Sequence, residues 1–300
     1  MANYENTFIC LAPELLIKIF QALPNLHSAI ALRLTCSKLN ALYLRYERGI
    51  RAALRDRIVQ TINSYYVFLT TLHIPWWALK CPPSGGWPHI TPQSHAGVEK
   101  TDFVIEVLSH LPYIAETTPG ANLHNIELTC YVLDYTTWTP EEFRSINAAS
   151  GVWLSGSVYK HMALIATSYT SRGMEMVLDT MRAEINIQIN PYAGDYVMDI
   201  EEYFGMMVER CRNLELMFVP GHETIVDIKW KPEDGDGSEC PDDLGNLMAQ
   251  EEDYPTRRDA RWIRYLYRKA GWPGPDFQKE RALRAVKMFV EARSGPYRLG

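Results

Sequence analysis

Residues 11–42 concentrate apolar side chains on segments that prolines keep short. The stretch reads LAPELLIKIFQALPNLHSAIALRLTCSKLNAL, and Pro13 and Pro24 divide it. Pro13 suits the first position of a helix, and Glu14 lies in the first turn, where a negative charge favours the helix dipole. Apolar residues recur there at 3.6-residue spacing, which predicts an amphipathic helix over 13–23 that ends at Pro24.

The same pattern continues after the second proline. Asn25 or Ser28 can cap a second short helix that runs to about Leu34. A third helix is predicted over 37–46, and a longer one near 50–72 follows a weak interruption at Gly49.

The first three helices carry more apolar surface than they can bury among themselves. A unit of this length lies below the ~40 residues at which chains usually fold alone. One side of helices 2 and 3 can pack on helix 1, and the other must be covered by residues 50–300 or by a partner. The residues alone leave these two alternatives equal.

Composition excludes several classes of protein. The net charge is −6 over 300 residues, which argues against a general nucleic-acid binder. The six cysteines are spread along the chain without a CxxC pair, which indicates reduced thiols in the cytoplasm or nucleus. MANYENTFIC lacks the features of a signal peptide, and the most apolar long stretch, residues 65–83, is broken by Pro75, so no membrane span is expected.

The remainder of the chain predicts an antiparallel sheet with helices. Residues 73–100 are a proline-rich loop, whose Trp76, Trp77 and Trp87 are expected to pack against the core. Thr101 caps a helix, and 125–136 has the bias of a strand.

Two hairpins in series follow the central part of the chain. The segments MALIATSY, MEMVLDT and AEINIQI predict a meander over 162–189, with Ile185, Ile187 and Ile189 on one face. A helix over 198–214, an acidic flexible loop at about 231–256 and two C-terminal helices complete the prediction. The fold class is therefore predicted as α+β, a small helical lobe followed by an antiparallel sheet with flanking helices.

No catalytic motif is present. Glycine-rich phosphate loops, GxSxG and HExxH are absent, and DGDGSE (234–239) lacks the later ligands of a calcium loop. The basic residues over 257–269 follow helical spacing and are interpreted as a solvated face. We therefore expect no enzyme activity, no cofactor and no metal, with chemistry by the Trp- and His-containing loop at 73–95 as a third alternative. The histidines of this loop are interpreted as ordinary loop and surface residues.

The opening segment resembles an F-box. Leu11, Pro13-Glu14-Leu15, Ile19 and Leu23 follow the Leu-Pro-x-Glu-Leu opening and its four-residue steps, and Leu34, Cys36 and Leu39 follow the closing pattern. Ala12 stands in place of the first proline of that pattern, and Leu39 stands where tryptophan is usual.

This resemblance implies docking on a Skp-type adaptor and, through it, on a cullin ubiquitin ligase. It implies a module over 8–48 and a second domain over 49–300 that binds an unknown protein substrate. The partner-binding residues that it implies are Leu11, Pro13, Leu15, Ile19, Leu23, Leu34, Cys36 and Leu39.

The later segments are also similar to known families. GGWPHITPQ, YVLDYTTW and YRKAGWPGPDFQKERALRAV resemble F-box proteins of filamentous fungi, and the strands at 162–189 with DIEEYFGMM resemble the SUKH (Smi/Knr-like) fold. The alternative function is accordingly a stand-alone SUKH-like interaction domain, in which the first helices pack permanently on the core.

Overall fold

The chain folds into an N-terminal helical region followed by an antiparallel sheet with flanking helices, which confirms the predicted α+β class. The computed structural model describes residues 10–95, 99–115, 124–128, 130–139, 141–142, 145, 160–168, 174–189, 193–219, 225–226, 237–240, 243–251 and 254–294. The described helices are α1 (Pro13–Ala22), α2 (Leu26–Arg33), α3 (Ser37–Leu72), α4 (Asp102–His110), α5 (Ile200–Arg212), α6 (Leu244–Met248), α7 (Arg257–Lys269) and α8 (Lys279–Ser294).

Six strands form the main sheet in sequence order, from β3 to β8, and every neighbouring pair is antiparallel. They are β3 (Asn125–Glu127), β4 (Cys130–Val132), β5 (Met162–Ser168), β6 (Met174–Asp179), β7 (Glu184–Ile189) and β8 (Ala193–Asp199). The predicted meander is confirmed, and β7 buries Ile185 and Ile187 on one face as the alternation requires. Strand β8 was not anticipated, and the predicted 125–136 strand divides into β3 and β4.

Two short ribbons accompany this sheet. β1 (Leu79–Lys80) pairs with β2 (Tyr113–Ile114), and β9 (Met217–Phe218) pairs with β10 (Ile225–Val226), both antiparallel.

Helix α3 connects the helical region to the core. It runs for 36 residues, through the predicted end at 46 and the predicted domain boundary at 48–49. Only Tyr46 leaves helical backbone angles, which marks a kink. Gly49 does not end the helix, because a helical glycine costs only about 1 kcal/mol and the buried stripe that follows outweighs it. That stripe comprises Ile50, Leu54, Ile58, Ile62, Tyr65, Tyr66, Leu69 and Leu72.

Capping side chains and a glycine define the ends of several helices. The Thr101 side chain accepts from the Val104 N–H at the start of α4, and the Asp199 carboxylate accepts from two N–H groups at the start of α5. Thr256 and Asp259 form a capping box at α7, and Gly271 follows it with a φ of 97°, so the predicted C-terminal helices are confirmed. Much of the predicted 231–256 loop lies outside the described residues, and α6 occupies part of the remainder.

Two predictions about side chains were wrong. Trp76 is 79% exposed and Trp77 is 54% exposed, because the short 3-10 turn that carries them buries only Ala78. Trp87 is half-buried and donates from its indole nitrogen to the Leu111 carbonyl.

The basic face of α7 also differs from its prediction. Arg264 is buried and donates from Nε and Nη2 to the Leu214 carbonyl, at 3.2 and 3.1 Å. This arginine therefore joins α7 to the end of α5 and does not belong to a solvated face.

Candidate functional site

Helix α1 divides its apolar residues between the core and the solvent. Leu16 and Phe20 are buried, whereas the adjacent Leu15 is 48% exposed and Ile19 is half-buried. Pro13 lies exposed at the first helical position, as its missing N–H allows. The helix thus presents leucine to solvent next to a fully covered stripe.

The connection between α2 and α3 exposes a second leucine. Asn25 caps α2 by accepting from the Ser28 N–H at 2.9 Å, and Leu26 and Ala29 face the core. Leu34 follows the helix and is 70% exposed. Such exposure of an isolated leucine needs no explanation, but the next helix, α3, also exposes apolar residues in its first three turns.

The start of α3 packs against α1 and contacts the end of α2. Leu39 and Tyr43 are buried, and the Tyr43 ring meets Phe20 of α1 edge-on at a centroid distance of 5.6 Å. The Arg33 guanidinium lies 4.8 Å from the centroid of the same ring. Burial raises the pKa of the Tyr43 hydroxyl, which keeps it neutral.

We call residues 49–300 the body, and the first two helices are fixed to it at two points. The His27 N–H at the start of α2 donates to the Met181 carbonyl in the β6–β7 turn, at 2.9 Å. Arg57 of α3 donates from Nη1 to the Leu23 carbonyl at 2.8 Å and so satisfies the C-terminal end of α1. The three helices therefore hold a defined geometry before any partner binds.

The eight residues implied by the resemblance fall into three classes. Pro13, Leu15 and Leu34 are exposed, and Leu39 is in the core, where it supports α3. The half-buried members are Leu11, Ile19, Leu23 and Cys36.

Sequence reasoning missed two exposed apolar residues on α3. Leu44 is 55% exposed and Tyr46 is also exposed. The signal was available, because Leu39, Tyr43 and Ile50 define the core stripe and Leu44 falls outside it. We call the exposed set Pro13, Leu15, Leu34, Leu44 and Tyr46 the lobe surface.

A buried carboxylate of the sheet binds polar groups of α5. Glu127 of β3 is 3% exposed, accepts from the Tyr203 hydroxyl at 3.1 Å and lies 3.6 Å from Arg210 Nη1. This network joins α5 to the sheet. Burial raises the pKa of the nearby Cys130 and Cys211 thiols, which disfavours the thiolate that nucleophilic chemistry needs.

His73, at the start of the predicted loop, has a strongly lowered pKa. Its ring stacks on Phe218 at a centroid distance of 3.7 Å, and Nε2 donates to the Asn125 carbonyl at 2.9 Å. Burial is the main reason that its pKa falls to about 3, and neighbouring His124 and Lys279 add to the effect. The interpretation of the loop histidines as ordinary surface residues was wrong for His73, which is a packing residue.

A polar cleft of about 410 Å³ lies between α3 and α5. Its charged side chains are already engaged: Arg57 binds the end of α1, and Asp56 accepts from Arg55 at 2.7 and 2.9 Å. The residues that line it are Ala53, Asp56, Arg57, Gln60, Thr61, Ser64 and Glu201. This cleft offers no nucleophile beside a base.

Within the described ranges, no group of three or more His, Cys, Asp or Glu side chains is placed to hold a metal ion. All six cysteines are free thiols. No helix in the described part of the chain has both the length and the apolar character needed to cross a bilayer. Comparisons of this chain with family models, with curated proteins and with solved structures found no match.

Proposed function

We propose that this chain is a substrate-recognition subunit of a Skp–cullin ubiquitin ligase, acting in the cytoplasm or nucleus. The helices within residues 11–42 dock on a Skp-type adaptor. The observation that carries this proposal is the exposure of Leu15 and Leu34 beside the buried Leu16 and Leu39. The described residues of the body leave those two leucines uncovered, which favours a partner over intramolecular packing.

The energetics of docking are favourable for this surface. Fully burying a leucine contributes roughly 1.5–3 kcal/mol, so covering the exposed part of Leu34 contributes about 1–2 kcal/mol. Because His27 and Arg57 already fix the helices to the body, little conformational entropy is lost on binding.

In this proposal the body binds the substrate and catalyses nothing. Binding raises the concentration of the substrate near the ligase. Trp76 and Trp77 follow the far end of α3, whose 36 residues span roughly 50 Å at the usual rise. Their exposure makes them the first residues to mutate in a search for the substrate-binding surface.

A second candidate is the stand-alone SUKH-like interaction domain. The continuity of α3 and the bond from His27 to Met181 favour it, because they make the first helices part of the body. The two candidates differ in one respect, which is whether a Skp-type adaptor binds the lobe surface.

The test compares two substitutions of matched chemistry. Leu34→Asp places a charge on the lobe surface, and Met288→Asp places one at an apolar residue of α8 that is 65% exposed. Binding of a purified Skp-type adaptor is measured by biolayer interferometry. We expect Leu34→Asp to weaken binding thirtyfold or more, about 2 kcal/mol, and Met288→Asp to leave it unchanged.

Thermal unfolding provides the control for folding. Both variants should keep the wild-type midpoint, since both side chains are exposed. Absence of adaptor binding by the wild-type chain at micromolar concentration would refute the ligase proposal and favour the stand-alone domain.

A further inference from the structure

The first three turns of α3 expose basic side chains among the apolar ones. Lys38, Arg45 and Arg48 are exposed, and their spacing of seven and three residues places them along one side of the helix. Leu44 lies on the same side. Glu47 is the only acidic residue between Ser37 and Arg48, and it is half-buried, 3.7 Å from the guanidinium of Arg51.

This local charge opposes that of the whole chain. Residues 11–50 contain five basic and two acidic residues, a net charge of +3, while the full chain carries −6. The remaining residues therefore carry −9. The lobe surface thus lies within a basic region of an acidic protein, and the field of that region attracts negative groups.

The aromatic residues hold two of the cations beside the apolar side chains. The Arg45 guanidinium lies 5.5 Å from the centroid of the Tyr46 ring, and Arg33 lies over Tyr43. Because Arg45 lies over the Tyr46 ring, a partner that covers Tyr46 also meets Arg45.

We propose that the partner of the lobe surface presents an acidic surface along the first three turns of α3, around the apolar contacts of Leu34 and Leu44. This inference rests on the proposed function, whose adaptor is the partner meant. Charges at the rim of an interface act mainly on the association rate and are screened by salt. The basic residues therefore raise the association rate of the partner, and the leucines slow its dissociation.

The charge of the chain favours this partner over two others. A second copy that docks symmetrically brings its own basic residues 11–50 against those of the first, and the two regions, each with a net charge of +3, repel each other. An anionic membrane attracts the lobe but repels the body, whose net charge is −8.

The experiment compares two double charge reversals with identical spacing. Arg45→Glu with Arg48→Glu alters the lobe surface, and Arg284→Glu with Lys287→Glu alters an exposed side of α8. Each changes the net charge from −6 to −10 and keeps a good helix former at each position. Association and dissociation rates with the purified adaptor are measured in 25 and 300 mM NaCl.

We expect the lobe variant to associate with the adaptor about tenfold more slowly than wild type in 25 mM NaCl. In 300 mM NaCl its association rate should approach that of wild type. The α8 variant should stay within twofold of wild type. Circular dichroism and thermal unfolding confirm that both variants fold.

The outcomes separate this inference from the function on which it rests. Wild-type binding with equal rates for the two variants overturns the acidic partner and leaves the ligase proposal standing. No wild-type binding at either salt concentration overturns both. Sedimentation with vesicles containing 30% phosphatidylserine tests whether the basic region binds an anionic membrane. If the wild type binds the vesicles, the lobe variant does not, and neither binds the adaptor, the basic region is assigned to lipid and the inference is overturned.

Discussion

His73 makes a sharp prediction about how stability depends on pH. A carbonyl only accepts hydrogen bonds, so the bond to Asn125 places the proton of neutral His73 on Nε2. Its Nδ1 atom is shielded from solvent and has no hydrogen-bond partner among the described residues. A second proton would have to sit there, near His124 and Lys279.

The direction of the effect follows from the two pKa values. Histidine in the unfolded chain has a pKa of about 6.5, and folding lowers that of His73 to about 3. The unfolded state therefore takes up a proton as the pH falls below 6.5, whereas the folded state does not until about pH 3. The stability that His73 contributes is present above pH 6.5 and is lost across this window.

The magnitude follows from proton linkage. At pH 5 the unfolded state gains about 2 kcal/mol from protonation of this one residue, with a slope of about 1.4 kcal/mol per pH unit below pH 6. Other groups titrate over the same range, so the contribution of His73 has to be isolated with a variant that does not ionise. His73→Gln serves this purpose and keeps a side-chain N–H.

Urea unfolding of both proteins at pH 8 and pH 5 provides the measurement. We expect wild type to be the more stable at pH 8, and its advantage to shrink by about 2 kcal/mol at pH 5. The imidazole resonance of His73 should also show no titration between pH 8 and pH 4.5. A constant difference between the two proteins, or a resonance that titrates near pH 6.5, would refute the buried neutral ring.

Three further predictions concern stability. Replacing Trp76 and Trp77 together by alanine should change the free energy of unfolding by less than about 1 kcal/mol in a thermal melt, because both rings are largely exposed. Asp259→Asn should lower the free energy of unfolding in urea by about 3–5 kcal/mol, because the buried Arg293 of α8 loses the carboxylate that lies 2.9 Å away. A smaller loss would show that this arginine reaches water. Gly49→Ala should stabilise α3 by about 0.5–1 kcal/mol, since the nearest atom is 4.0 Å from the new Cβ, whereas Gly271→Ala at a φ of 97° should cost about 1 kcal/mol or more. Equal signs for the two glycine variants in the same unfolding assay would contradict the backbone argument.

Features that depend on neighbouring residues followed from the sequence. The α1 start at Pro13, the Asn25 cap of α2 and the Thr101 cap of α4 are each decided within four residues. The alternation in β7 likewise predicts its buried face. Such signals act through the local backbone, so they hold wherever the segment packs.

The sequence also selected the segment that forms the candidate site, but it did not decide which side chains face solvent. Leu15 and Leu16 are adjacent and identical in chemistry, yet one is exposed and the other buried. Packing of Phe20 against Tyr43 sets the rotation of α1, and that contact joins two helices. The face of a broad apolar stripe that remains uncovered is therefore a property of the assembled helices.

Only the tertiary structure decided the state of three residue types that the sequence misassigned. His73 is packed by Phe218, Arg264 is held by the Leu214 carbonyl, and the tryptophans at 76 and 77 have no covering element among the described residues. Their partners lie 50 to 145 positions away along the chain or are absent from that part of the structure. The side chain of a histidine, arginine or tryptophan is stable both buried and exposed, so its position is fixed by distant contacts and not by its neighbours in the sequence.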